Sequence, residues 1–142
     1  MRDLHNNINI TQVLDPVVVT ADVESTAIDM QGYDSLELVV LMGESGDTLS
    51  GSLYTELILQ EGAESDGSDA AAVAQNDAIG TVTSGVFATV DAAAEDDAVF
   101  KIGYIGDARY VRVAIDVTGT HTNGTPIGII AIRSNAEKRP VA

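Results

Sequence analysis

The chain has 142 residues, with 22 Asp and Glu against seven Lys and Arg, a formal net charge of -15 and no cysteine. That length suits one domain, the 45% apolar fraction is normal for a packed core, and the charge repels nucleic-acid phosphate and anionic membrane surfaces alike. Without cysteine there is no disulfide framework, no thiolate nucleophile and no cysteine metal site.

The first 15 residues are polar with sparse Ile and Leu and read as an N-terminal arm. Their acidic and amide groups replace the apolar core of a signal peptide, so Sec-type export is not expected. From residue 16 to 133, short β-branched segments of period two are separated by Gly, Asp, Asn and Ser, and helical periodicity is nearly absent. Strands are predicted at 17–23, 35–42, 53–60, 79–83, 99–105, 110–117 and 127–133, with an extra one near 27–31. In 35–42, Leu36, Leu38, Val40 and Met42 fill one face while Val39 and Leu41 partly fill the other, as in a central strand or one that lies under a partner. Residues 61–77 read as a long acidic loop in which Ser68 or Asp69 caps a short helical insert at 70–74. Residues 91–97 form a second acidic loop. Gly106-Asp107-Ala108 predicts a tight antiparallel hairpin between 99–105 and 110–117. In the latter strand, Val111, Val113, Ile115 and Val117 alternate with Tyr110, Arg112, Ala114 and Asp116, covering a core on one side. Residues 118–126 form a third loop, where Asn123-Gly124-Thr125 reads as a turn rather than a glycosylation site. Residues 134–142 carry Lys138, Arg139 and Pro140 and read as a C-terminal tail. The expected fold is all-β: a single jelly-roll-like β-sandwich of about seven or eight antiparallel strands with polar terminal arms.

Catalytic patterns fail on spacing. Gly43-Glu44-Ser45-Gly46-Asp47 places its second glycine one position too early for a nucleophile elbow and reads as a turn. His5 and His121 fall in an arm and a loop. The carboxylates of Asp66, Asp69, Glu95, Asp96 and Asp97 are hard ligands, but Asp69 is followed by three alanines where an EF-hand needs further oxygen ligands. Glycoside hydrolysis normally adds aromatic sugar platforms, and the chain has no Trp. Gly103-Tyr104-Ile105-Gly106 lacks the spacing and following helix of a dinucleotide fingerprint. The longest apolar runs, 38–42 and 127–132, fall far short of the ~20 residues that span a bilayer. The expectation is a protein that is not an enzyme, with no cofactor and no metal, and with neither nucleic acid nor membrane as a partner.

Charge is unevenly placed. Residues 1–100 hold one base and 19 acids, giving -18, whereas residues 101–142 hold six bases and three acids, giving +3. Rare bases in an acidic chain are candidate contacts for a partner, so Arg2, Arg109, Tyr110, Arg112, Arg133, Lys138 and Arg139 are the candidate binding residues. The expectation is a polarised module, with the late bases on one side and the acidic loops 66–69 and 91–97 on the other.

The opening Met1-Arg2-Asp3-Leu4-His5-Asn6-Asn7-Ile8 resembles the start of a group of small tailed-bacteriophage head structural proteins. Gly32-Tyr33-Asp34-Ser35-Leu36-Glu37, Leu59-Gln60-Glu61-Gly62, Asp69-Ala70-Ala71-Ala72-Val73, Phe100-Lys101-Ile102-Gly103-Tyr104-Ile105-Gly106 and Arg109-Tyr110-Val111-Arg112 continue that resemblance in order. It implies a capsid decoration, or cement, protein on the outer surface of the virion, assembled in the host cytoplasm, with the major capsid protein as partner. Homo-oligomers, including a trimer at shell symmetry axes, fit that role. A head appendage that binds a receptor or glycan, or a head-to-tail joining protein, are the alternatives.

Overall fold

The computed structural model of the chain describes residues 3–138. Those residues form two antiparallel sheets from 11 strands: β1 (Ile8–Val19), β2 (Val23–Glu24), β3 (Ile28–Asp29), β4 (Tyr33–Met42), β5 (Tyr54–Gly62), β6 (Ala71–Ala72), β7 (Ala78–Ile79), β8 (Val86–Val90), β9 (Ala98–Tyr104), β10 (Tyr110–Thr118) and β11 (Thr125–Ala136). Sheet A has the order β1-β11-β4-β9-β7. Sheet B has the order β2-β10-β5-β6, with β3 also on β10 and β8 also on β5. Taking β2 and β3 as one interrupted strand, the main sheets are β1-β11-β4-β9 and β2/β3-β10-β5-β8. That is the strand order of a jelly roll, in which most successive strands lie in opposite sheets.

The core is aliphatic and comes from both inner faces. β4 supplies Leu36, Leu38 and Val40, β11 supplies Ile127 and Ile129, and β9 supplies Ile102; opposite them stand Leu57 and Leu59 of β5 and Val111, Val113 and Ile115 of β10. Period-two alternation puts these residues on one side of each strand. β4 lies between β11 and β9, which explains its two apolar faces.

Four expectations are corrected. First, β9 and β10 do not form a hairpin: β9 pairs with β4 and β7, and β10 with β5, β2 and β3. Each strand has an apolar face that must meet the same core from opposite sides, so residues 105–109 cross the sandwich. Tyr104 fills that crossing. Its buried hydroxyl donates to the Glu61 carboxylate of sheet B and accepts from the Ala108 N–H at 3.0 Å. A Cβ on Gly106 would come within 2.5 Å of the same hydroxyl, so glycine is the residue that fits the crossing. Burial and the Glu61 bond together push the Tyr104 phenol above its ordinary range.

Second, the helical insert at 70–74 is absent. Ala71–Ala72 pair in extended form with Gln60 and Glu61, and Val73 is buried in the core with its N–H on the Leu59 carbonyl. Asp69, read as a cap, instead accepts from the Ala63 and Glu64 N–H groups and closes the loop. Third, the predicted strand 79–83 is reduced to Ala78–Ile79, and the longer strand of this region is β8, Val86–Val90, which pairs with β5. Fourth, residues 8–15 are not an arm but part of β1, and residues 134–136 belong to β11, because these two strands zip together from Ile8↔Ser134 to Val19↔Thr125.

Removing the Tyr104 hydroxyl leaves the half-buried Glu61 and the Ala108 N–H without this partner. Tyr104→Phe is expected to lower unfolding free energy by about 1–2 kcal/mol, read as a lower urea midpoint at unchanged slope.

Candidate docking surface

Four of the seven nominated residues bear on one end of the sandwich or the outer face of sheet B, and their side chains are engaged within the chain. Arg112, on β10, makes two hydrogen bonds of 2.8 Å to the Glu24 carboxylate, and its Nε donates to Gln60 at 2.8 Å. Its side chain is only 14% exposed. Arg109 donates to both oxygens of Asp29 and to Gln31, and its guanidinium lies 5.1 Å from the centre of the Tyr110 ring. Arg133 reaches across from sheet A, donating at 2.7 Å to the Asp29 carbonyl and the Asn9 amide oxygen, with its guanidinium 4.5 Å from the centre of the Tyr33 ring. Arg109 and Arg133 thus converge on β3 and clasp it to both sheets. The Arg109 bond, first of all, holds the Asp29 carboxyl below its usual range. Lys138 is exposed just after β11, and Arg2 and Arg139 lie outside the described residues.

The expected separation of bases from acidic loops does not hold at Arg112. The 63–70 loop lies against it so closely that a Cβ on Gly67 would sit 2.4 Å from its guanidinium. Opposite charges attract within the fold, and the base and the acidic loop share one face.

Sheet B's outer face is mostly polar, with one apolar row, Ala114 and Ile58, between Arg112–Gln60 and Asp116–Glu56. Beyond the Arg112 cluster it carries Asp116 opposite Glu56 in the register, with the Thr89 hydroxyl donating to Glu56. Desolvation first, and then the neighbouring Asp22 and Glu56, raise the Asp116 carboxyl above its ordinary range. At one end of the sandwich, Asp47 accepts from the N–H groups of Thr122, Asn123 and Gly124, tying the 43–49 turn to the Asn123-Gly124 turn, where Gly124 takes φ +74°. The Gly124 bond leads in holding the Asp47 carboxyl low. His121, which the sequence leaves without a partner, is buried beside it: Nε2 is 3.2 Å from the Thr118 carbonyl and Nδ1 is 3.9 Å from Asp47 Oδ2.

The outer face of sheet A is different in kind. Its register sets three rows across the strands: Ile10, Ile132, Glu37 and Gly103; then Gln12, Ile130, Val39 and Lys101; then Gly128, Leu41 and Val99. Ile10, Leu41 and Val99 are 57%, 48% and 64% exposed. At the end nearest Leu41 and Val99 the face is indented by a groove of about 380 Å³, walled by Pro16, Leu41, Val99 and Pro126 and floored by Gly128. Sequence reasoning sees the second apolar face of β4, but neither this sheet-wide patch nor the groove, because both need the alignment of four strands.

Among the described residues, no group of three or more His, Asp or Glu could hold a metal ion, and no helix is long and apolar enough to cross a membrane. No family model and no curated protein matches the chain. Among solved structures it is similar to the P-domain of Macrobrachium rosenbergii nodavirus, with 14% sequence identity and a TM-score of 0.35 over 91% of this chain and 90% of that one. A likeness of that degree decides neither topology nor role.

Two outcomes are expected from these clusters. Asp116 has a raised folded-state pKa, so its ionisation opposes folding as pH rises through that value; Asp116→Asn should raise the thermal midpoint at neutral pH, with the gain vanishing below about pH 3.9, where the unfolded carboxyl is also protonated. Asp47 is the opposite case. Its depressed pKa supports folding above the unfolded value, so Asp47→Asn should lower the midpoint near neutrality and converge with the parent as acid protonates the parent's carboxylate.

Proposed function

We propose that the chain is a structural, non-enzymatic protein of a tailed-phage virion that decorates the outside of the major capsid shell and stabilises the head. The observation that carries this reading is the contrast between the sandwich's two outer faces. Sheet B turns mostly bonded polar groups to water, whereas sheet A exposes Ile10 beside Ile132, Ile130 beside Val39 in the next row, and Leu41 beside Val99 in the third. A contiguous apolar face of this kind on a chain of net charge -15 is a surface for another protein. The sequence stretches similar to phage head proteins favour the major capsid subunit as that protein.

In this reading the part of the sheet A face around Ile10, Ile132 and Ile130 meets the shell and the sheet B face meets solvent. Apolar contact supplies the free energy of docking, while the net negative charge keeps unbound copies apart in solution. The paired arginines 109, 112 and 133 hold the module's shape.

Shells assembled with the protein are expected to survive heating that ruptures shells without it; equal survival would sink the proposal. Ile10→Lys with Ile132→Thr, two changes on the outward face that add no like charge beside Glu37, should weaken co-sedimentation with shells by at least about tenfold, the scale of losing central apolar contacts, while leaving the melting curve of the free protein nearly unchanged.

A further inference from the structure

The groove at the Leu41 end of sheet A has a chemistry of its own. Its walls are aliphatic and proline side chains, the exposed Asp97 lines it, and the exposed Glu44 follows the lining Gly43. Neither Glu44 nor Asp97 takes part in an ion pair among the described residues. An apolar slot with acidic residues on one side suits an extended segment that presents small apolar residues beside Lys or Arg.

The chain contains one such segment after β11: Lys138-Arg139-Pro140-Val141. It cannot fill the groove of its own molecule. β11 runs from the groove at Pro126–Gly128 to Ala136 at the opposite end of the sheet, eight residues of strand or roughly 26 Å at ~3.3 Å each. From Ala136, the four residues to Pro140 reach at most about 14 Å. A second copy has no such restriction. We propose that the groove of one copy holds the 138–141 segment of another, in a head-to-tail contact that sets Lys138 and Arg139 beside Asp97 and Glu44.

Such a contact uses different surfaces on the two copies, so it propagates and closes into a ring where the rotation allows. It also brings the chain's late positive charge against the early negative charge of a neighbour. The inference rests on the reading of this chain as an assembly subunit, and it assigns the neighbour as a second copy of the chain rather than the shell.

The test uses two variants of the full chain. Leu41→Lys with Val99→Lys fills and recharges the groove at exposed positions, and Lys138→Glu with Arg139→Glu reverses the segment; circular dichroism melts check that both fold. Wild-type protein is expected to self-associate in sedimentation equilibrium, each variant alone to be monomeric, and an equimolar mixture of the two to form a heterodimer, because each retains the half the other lacks. A labelled peptide of residues 134–142 should bind dilute wild type and bind the groove variant at least about tenfold more weakly, the loss expected for central contacts. A wild type that stays monomeric and fails to bind the peptide, or a mixture that does not complement, would overturn the proposal. So would a groove variant that still self-associates but no longer co-sediments with shells, which gives the groove to the capsid. Shell binding by a monomeric wild type defeats this inference alone, whereas self-association without shell binding defeats only the decoration reading.

Discussion

Burial of one aliphatic layer between two sheets is the interaction on which the remaining features depend. Leu38 and Val40 of β4 face Leu57 and Leu59 of β5 and Val111 and Val113 of β10, all essentially without solvent exposure. Since β4, β9 and β11 belong to one sheet and β5 and β10 to the other, the chain must cross the sandwich repeatedly. Polar groups caught at those crossings need partners from the segments they meet there. Tyr104 with Glu61 and the Asp47 carboxylate with three consecutive N–H groups are the two clearest cases.

The scarcity of bases gives the arginines their structural use. In a chain of net charge -15, each guanidinium is surrounded by candidate acceptors, and its planar fork suits carboxylates held at a fixed spacing. Arg112 binds Glu24 and Gln60, and Arg109 and Arg133 pin β3 from two directions. The short strands β2 and β3 have few ladder hydrogen bonds of their own, so these side chains hold the interrupted strand to the sandwich. The charge imbalance between the two parts of the chain therefore resolves, in large part, into contacts within the fold.

What remains for a partner is chiefly apolar. Sheet A's outer face carries Glu37 and Lys101 among its three central rows, and the rest of those rows are aliphatic, amide or glycine. The acidic residues crowd elsewhere, on the loops and on sheet B, where Asp116 and Glu56 sit opposite one another at an electrostatic cost. That distribution separates a face that can shed water from one that keeps it.

The all-β class, the central place of β4 and the inward residues of β10 were legible because alternation of period two is a local property of a strand. Likewise Asn123-Gly124 could be read as a turn from its own chemistry. The partners of β9 and β10 could not, since a short glycine-containing link serves a hairpin or a crossing equally well, and only competition for the shared core decides between them. The alanine run at 70–74 has helical propensity, yet burial of Val73 and pairing with β5 outweigh it. The sequence by itself determined an acidic, cysteine-free β-sandwich with rare bases late in the chain. Only the tertiary structure decided that three of those bases are tied within the fold and that the apolar face and its groove lie on sheet A, because such surfaces arise from strands far apart in sequence brought into register.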